Sequence, residues 1–527
     1  MADKFFSAHS SQLRASAAQS SMRLAYTAQD NRFYVFDRGS RGGFVVVAGD
    51  DRLPQVLGYG AEGDFSANTL PPSVKYWLDE MDRQIAYLQS HSGVSAHQPA
   101  KQATVVEPLV TTQWDQGAPY NNYCPTYGGG TRSAAGCVAT AMSQMMNYHQ
   151  WPAVGRGSHS YSCNVDNNPD NHVDLSVDFS QSVYRWDQML DIYSDSSSEE
   201  SCDAVAKLMF DVGVACNMEY SPYGSSASRI DMAQALVEYF GYGNNMVNFR
   251  RDAFTPDDFV YYLKKELNEG RPVLMGGTDE EDFGHCFVCD GYDTNGLFHF
   301  NWGWNGMSNG YFEITNLSPM RPGSRTGKTE NYNENVTFIG GIQPSSASTN
   351  TKVNVLSMKG LKAPASGTKG SRVIINVERV SNCTIGNFNG KFGVALYKNG
   401  EMVRTLDVID ATLTPTRSYL DNEFGPILPA NIFGNEYQLV MVSKANNDSK
   451  WRPILTAGVS CIDLEVKGDK VTLKPNTFDR YIDLENLTAS SNTTPGKKDK
   501  KDKKDKKDGK SVTEGIGNVD ADDFYGN

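Results

Sequence analysis

The chain of 527 residues is long enough for about three domains at roughly 100 to 200 residues each, so more than one core is expected. Its 39% hydrophobic, 11% aromatic and 21% charged content is that of a globular protein and excludes a collagenous, wholly disordered or disulfide-dense chain. A formal net charge of -13 removes the electrostatic basis for binding nucleic acid or an anionic membrane, since both call for a basic surface.

Residues 1 to about 100 begin with a helix-prone stretch. In Arg41-Gly42-Gly43-Phe44-Val45-Val46-Val47-Ala48-Gly49-Asp50 a β-branched run stands between glycines, which predicts a strand bounded by turns. After Pro71-Pro72, the residues Val74, Trp77, Leu78, Met81, Ile85 and Leu88 recur at helical spacing and predict an amphipathic helix with a deep apolar stripe. Strand and helix together make a small α+β unit. Residues 89–106 lose periodicity and are rich in small and polar types, as an exposed, easily cleaved linker would be.

From about 107 to 345, helices predicted near 137–149, 202–216, 229–240 and 256–269 are followed by a succession of strands, the pattern of an α+β domain with two lobes. Between about 350 and 475 the helical period is gone. Alternating runs such as Arg372–Val377, and Val394–Val403 with Asn399-Gly400 at its turn, predict hairpins of a β-sandwich. Residues 497–510 repeat Lys-Lys-Asp with almost no apolar content, and the interspersed aspartates make a solvated linker of what would otherwise be a polybasic arm. The resulting domain boundaries are 1–105, 106–345, 346–475 and 476–527.

No apolar run reaches the roughly 18 residues of a transmembrane helix, and Met1-Ala2-Asp3-Lys4 lacks the apolar core of a secretory signal. The chain is expected to be either cytosolic or the product of signal removal. Its nine cysteines, at 124, 137, 163, 202, 216, 286, 289, 383 and 461, are odd in number and show no framework of spacings, so at least one thiol is free within a single chain. Cys286 and Cys289 form a C-x-x-C inside a strand-like run with no second pair for zinc, and read as small buried residues.

In Ala134–Met146, small residues precede Ala141, Met142, Met145, Met146 and His149 at helical spacing, which puts Cys137 at a helix N-terminus. Free backbone N–H groups and the macrodipole there favour thiolate, although a small core residue fits this stretch equally well. A thiolate nucleophile needs a partner that holds and returns a proton. Of the eight histidines, His285 begins an apolar strand after Gly284, whose missing side chain permits close approach of a substrate backbone. Near it in sequence, His299-Phe300-Asn301-Trp302-Gly303-Trp304-Asn305-Gly306 could orient and shield an imidazole, or form an aromatic core turn.

Cys, then His roughly 150 residues on, then Asn with Trp is the chain order of papain-like proteases. Over residues 1–345 the chain resembles the streptopain-like cysteine peptidases, secreted bacterial enzymes on a papain-like fold. The motifs that carry the resemblance are Trp114-Asp115-Gln116-Gly117-Ala118-Pro119-Tyr120-Asn121, Gly136–Ala141, Gly284-His285 with Phe287-Val288, and Asn301-Trp302-Gly303-Trp304. The resemblance implies Cys137 as nucleophile, His285 as general base and acid, and Gln116 as an oxyanion-hole donor beside the Cys137 N–H, with Asn301 or Trp302 orienting the histidine. Ser225 in the loop 220–228, Gly284 and Trp304 are the implied substrate contacts, with a hydrophobic side chain two residues before the scissile bond. The loop 321–330 departs from the family by carrying fewer glycines.

The N-terminal unit is similar to the family's inhibitory prodomain at Gly42–Asp50 and Leu57-Gly58-Tyr59, which implies a zymogen cut, often by itself, within 97–107. The expected architecture is therefore α+β: an inhibitory prodomain, a two-lobed papain-like catalytic domain and an immunoglobulin-like β-sandwich. Secretion or display on a bacterial surface, protein or peptide substrates, the prodomain as intramolecular inhibitor, and no metal or organic cofactor complete the expectation. A non-catalytic binding protein on a protease fold, or transglutaminase-like acyl transfer to an amine, are the rival readings.

Overall fold

The structure, a computed structural model, describes residues 22–476 apart from 40–41, 61–64, 66–69, 91–103, 128–129, 166–167, 169, 171, 255, 279–283, 315–335, 347–353, 416 and 457. The helix-prone start, most of the 89–106 linker, the 321–330 loop and the Lys-Asp tail lie outside the described residues.

Four antiparallel strands come first: β1 (Arg23–Thr27), β2 (Phe33–Asp37), β3 (Phe44–Ala48) and β4 (Val56–Gly60). The apolar run predicted at 41–50 becomes β3. Both of its faces are covered, Phe44 and Val46 entering a large core while Val45 and Val47 pack with Tyr59 and Leu297. Helix α1 (Pro72–Ser90) buries all six residues of the predicted stripe.

Helices α2 (Cys137–His149), α3 (Glu199–Ala215) and α4 (Arg229–Glu238) close one lobe together with the hairpin of Ser158–Asn164 and His172–Asp178. Helix α3 starts before its predicted position because Ser198 caps it, accepting from Ser201 N–H at 3.2 Å, and because Glu199 and Glu200 complement the dipole of the first turn. The second lobe holds β5 (Val247–Arg250), α5 (Pro256–Asn268), β6 (Val273–Thr278), β7 (Gly284–Tyr292), β8 (Phe298–Asn301), β9 (Gly310–Phe312) and β10 (Thr337–Gly340).

These strands and the first four make one ten-stranded sheet, in the order β1-β2-β3-β4-β9-β8-β7-β6-β10-β5. The N-terminal unit is thus joined to the second lobe by hydrogen bonds: Tyr59 pairs with Tyr311 and Gly58 with Phe312, and Glu313 N–H donates to Leu57 O at 2.9 Å. Gly310 has no room for a side chain there, since a Cβ would lie 2.3 Å from Tyr59 O. One apolar core runs through both units, with Phe44, Val46, Trp77, Leu78 and Met81 packed on Phe287, Phe300, Trp302 and Phe312.

After residue 353 a three-stranded sheet (Leu356–Lys362, Ile375–Asn382, Ser418–Phe424) faces a seven-stranded one across a core that includes Val377, Val380, Phe392, Val394, Leu439 and Leu464. Asn399 and Gly400, at φ 50° and 82°, close the hairpin read from the sequence. This module is seated on the peptidase lobes: Asn248 N–H donates to Cys383 O at 2.9 Å, the Gln234 amide donates to Ile385 O at 2.6 Å, and Ile385 enters the helical lobe's core. Strand β5, the last of the large sheet, is covered at Val247 by a bridge to Thr384. Among the described residues no helix is long and apolar enough to cross a membrane.

Candidate active site

Cys137 is the first residue of α2 and is half-buried. Gly136 precedes it at φ 93°, a conformation that disfavours a side chain, and a Cβ there would meet Met218 Sδ at 2.9 Å and Ser225 O at 3.0 Å. The helix packs on β7. There the Cys137 sulfur lies beside Cys286, the residue after His285, whose backbone amide favours the thiolate. The fold therefore brings Cys137 to the strand that carries His285. Burial pushes the Cys137 thiol above its ordinary value, opposed by the N–H groups of Cys286 and Val138 and by the charge of Arg229. The helix N-terminus by itself favours thiolate, but here burial is the larger effect.

Gln116 lies beside this junction. Its carbonyl accepts from Ala135 N–H at 2.9 Å, its backbone N–H donates to the Asp115 carboxylate at 2.7 Å, and its side-chain amide makes no hydrogen bond among the described residues. That leaves the amide free to donate to a substrate oxygen. His285 is half-buried on β7, opposite Gly277 on β6. Gly284 starts the same strand opposite Thr278.

Asn301 and Trp302 separate onto different tasks. Asn301 pairs with Val288, so strand alternation puts it on the face of Val288 and Cys286, whereas His285 alternates with Phe287 and Cys289. Its amide donates to Thr112 O at 2.7 Å and to Gln144 Oε1 at 3.2 Å, and its carbonyl oxygen accepts from Gln144 Nε2 at 3.2 Å and Gly303 N–H at 3.1 Å. Trp302 is fully buried, lies tilted against Phe287 with the ring centroids 4.6 Å apart, and donates its indole N–H to Ser308 O at 2.9 Å. Gln144, two turns after Cys137 on α2, was not singled out in the sequence, although its seven-residue spacing from the cysteine puts it on the same helix face.

Of the implied substrate contacts, the Ser225 hydroxyl is turned inward: it donates to Ala134 O at 2.7 Å and accepts from Ser221 N–H at 3.0 Å, bracing the segment before Cys137. Trp304 is half-buried against the sheet core. Cys286 and Cys289 are buried free thiols, and among the described residues no cluster of His, Cys, Asp and Glu could hold a metal.

The N-terminal unit meets the same sheet. Trp77 of α1 lies edge-on to Phe300 at 5.0 Å and Phe287 at 6.2 Å, and 6.3 Å from Trp302, so it is buttressed by the strands that carry His285 and Asn301. Tyr59 stacks on Tyr311 at 5.1 Å and donates to the Asp293 carboxylate at 3.0 Å. At the end of the linker, Val106 exchanges two hydrogen bonds with Tyr292, at 3.0 and 2.9 Å, which ties the start of the peptidase unit to the end of β7.

Comparison with known proteins agrees with this division. The Peptidase C10 family model matches residues 114–312, and the Spi protease inhibitor model matches residues 1–85. Streptopain of Streptococcus pyogenes is 33% identical over 327 residues, covering 60% of this chain and 81% of streptopain. The thiol protease/hemagglutinin PrtT of Porphyromonas gingivalis is 33% identical over 362 residues, covering 66% of this chain but 41% of that relative, so the chain spans less than half of its length. The structure of a prointerpain A fragment from Prevotella intermedia superposes with a TM-score of 0.52 at 35% identity, covering 60% of this chain and 98% of the fragment. Enzyme and inhibitor are present in one chain, which makes it a cysteine endopeptidase in zymogen form on a papain-like fold. The chain belongs to the Peptidase C10 family, the streptopain-like cysteine peptidases.

Proposed function

We propose that Cys137 and His285 carry out the peptide hydrolysis. The observation that carries this is the packing of α2 on β7, which sets Cys137, the first residue of the helix, beside Cys286, the residue after His285. His285 takes the thiol proton, and the thiolate attacks the peptide carbonyl. The oxyanion is held by the Gln116 side chain and the Cys137 N–H. Collapse expels the amine with the proton from His285 and leaves a thioester, which water, deprotonated by His285, hydrolyses. Trp302, on the His285 side of the sheet through Phe287, shields the imidazole, while Asn301 and Gln144 lock α2 to β8. Gly284, Trp304 and the backbone of the Ser225 loop line the substrate, with a hydrophobic residue preferred two positions before the cut.

The domain boundaries 1–105, 106–345, 346–475 and 476–527 follow from the same reading, the third being an immunoglobulin-like sandwich. Secretion to the medium or the cell surface suits an enzyme made with its own inhibitor. Self-cleavage falls within 97–107, a segment rich in small and polar residues. The test is intact-mass analysis of the chain and its Cys137→Ala variant under reducing conditions, with casein as substrate. Loss of an N-terminal fragment by the parent alone, followed by alkylator-sensitive casein hydrolysis, is expected. Casein hydrolysis by the variant refutes the assignment, and release of cross-links rather than new peptide termini favours acyl transfer to an amine.

A further inference from the structure

Arg229 opens α4, and its guanidinium crosses the sheet at a place prepared for it. Nη2 donates to Thr337 Oγ1 on β10 at 2.9 Å, and Nη1 comes to 3.5 Å from the His285 carbonyl oxygen on β7. Strand β6 lies between those two strands, with Gly276 paired to Thr337 on one side and to Cys286 on the other. A Cβ on Gly276 would stand 2.5 Å from Nη1 and 2.1 Å from His285 O. The glycine is needed here for the space it leaves, because any side chain would push the guanidinium off the strand. Among the described residues, the charged and titratable groups facing the Cys137 sulfur are Arg229 from α4 and Cys286 from β7, with His285 preceding Cys286 on that strand.

We propose that Arg229 is a positioning residue of the peptidase reaction, tying the backbone of His285 to β10 through the slot above Gly276 and presenting a fixed positive charge to Cys137 that favours its thiolate. A mere tether between α4 and the sheet is already provided by the bond to Thr337. The approach to the His285 carbonyl and the charge on the thiol are what a tether does not need. The proposal rests on Cys137 and His285 as the reacting pair.

The test uses the full chain after proteolytic activation, with Arg229→Gln, Arg229→Lys and Gly276→Ala. Two quantities are read: the pH midpoint for iodoacetamide alkylation at Cys137, followed by peptide mass mapping, and kcat/KM on a casein-derived peptide. Arg229→Gln is expected to raise the midpoint by about one pH unit and lower kcat/KM about tenfold. Arg229→Lys keeps the charge but not the fork, so its midpoint stays near the parent's while part of the rate is lost. Gly276→Ala reproduces the Arg229→Gln midpoint with the arginine still present. An unmoved midpoint in Arg229→Gln overturns the proposal even if activity falls with the folded fraction. Should that variant not fold, an Arg229→Lys midpoint raised by a full unit overturns it equally. If instead Cys137→Ala keeps peptidase activity, it is the underlying assignment that fails.

Discussion

Truncating Trp77 to alanine isolates the hold of the prodomain on the enzyme. Its ring is 7% exposed, and the aromatic partners at 5.0 to 6.3 Å are Phe287, Phe300 and Trp302, all on the peptidase side. Removing a buried tryptophan costs about 3–5 kcal/mol. Val74, Leu78 and Met81 continue to hold α1, so assigning about half of that loss to the contact between the units gives about 2 kcal/mol, or about 30-fold more of the undocked form. The assay is iodoacetamide labelling of Cys137 in the uncut chain, read by mass mapping. Labelling is expected to quicken about 30-fold in Trp77→Ala, while Leu420→Ala, at a residue 67% exposed on the C-terminal module, leaves it unchanged. Unchanged labelling with a lowered melting temperature would refute the reasoning, because Trp77 would then support only the fold of its own unit.

Gln116→Ala is expected to lower kcat about 100-fold or more with little change in KM, as steady-state kinetics on a peptide would show, since the lost donor acts on the oxyanion and not on the bound substrate. Burial holds His149 down to about 4, from an ordinary value of 6.5, so the folded chain keeps it neutral while the unfolded chain protonates it. Its contribution to stability is present above 6.5 and is lost as pH falls through about 4, by about 3 kcal/mol at most; His149→Gln should flatten that slope in urea titrations at successive pH values. Deleting residues 346–527 uncovers β5 at Val247 and removes Ile385 from the helical lobe's core, so the remainder is expected to melt lower and scatter light on heating; an unchanged melting curve would show the module to be an independent passenger.

What could be read from the chain alone was local. The helix over 137–149 and the stripe of α1 were legible because their apolar residues repeat at the helical period, and the hairpin at Asn399-Gly400 because the turn type demands those residues. The pairing of β4 with β9 was not, since two short strands some 250 residues apart carry no mark of each other. Nor was the choice between Asn301 and Trp302 legible. That depends on the register of β7 against β8, where one step would exchange the two faces. Arg229 escaped notice because its slot is made by a glycine 47 positions away, and a single arginine at a helix start reads as a solvated surface residue. The C-terminal module read as a separate sandwich, and its seat on Asn248 and Gln234 arises from backbone carbonyls at Cys383 and Ile385 that no side-chain pattern announces.

The most direct test of the central claim is to titrate the activated chain with a peptidyl chloromethyl ketone, following adduct position by peptide mass mapping and residual casein hydrolysis in the same samples. One adduct on Cys137, formed in step with the loss of activity and absent after denaturation, is the result expected. Activity lost through another of the nine cysteines, or retained with Cys137 fully modified, would contradict it.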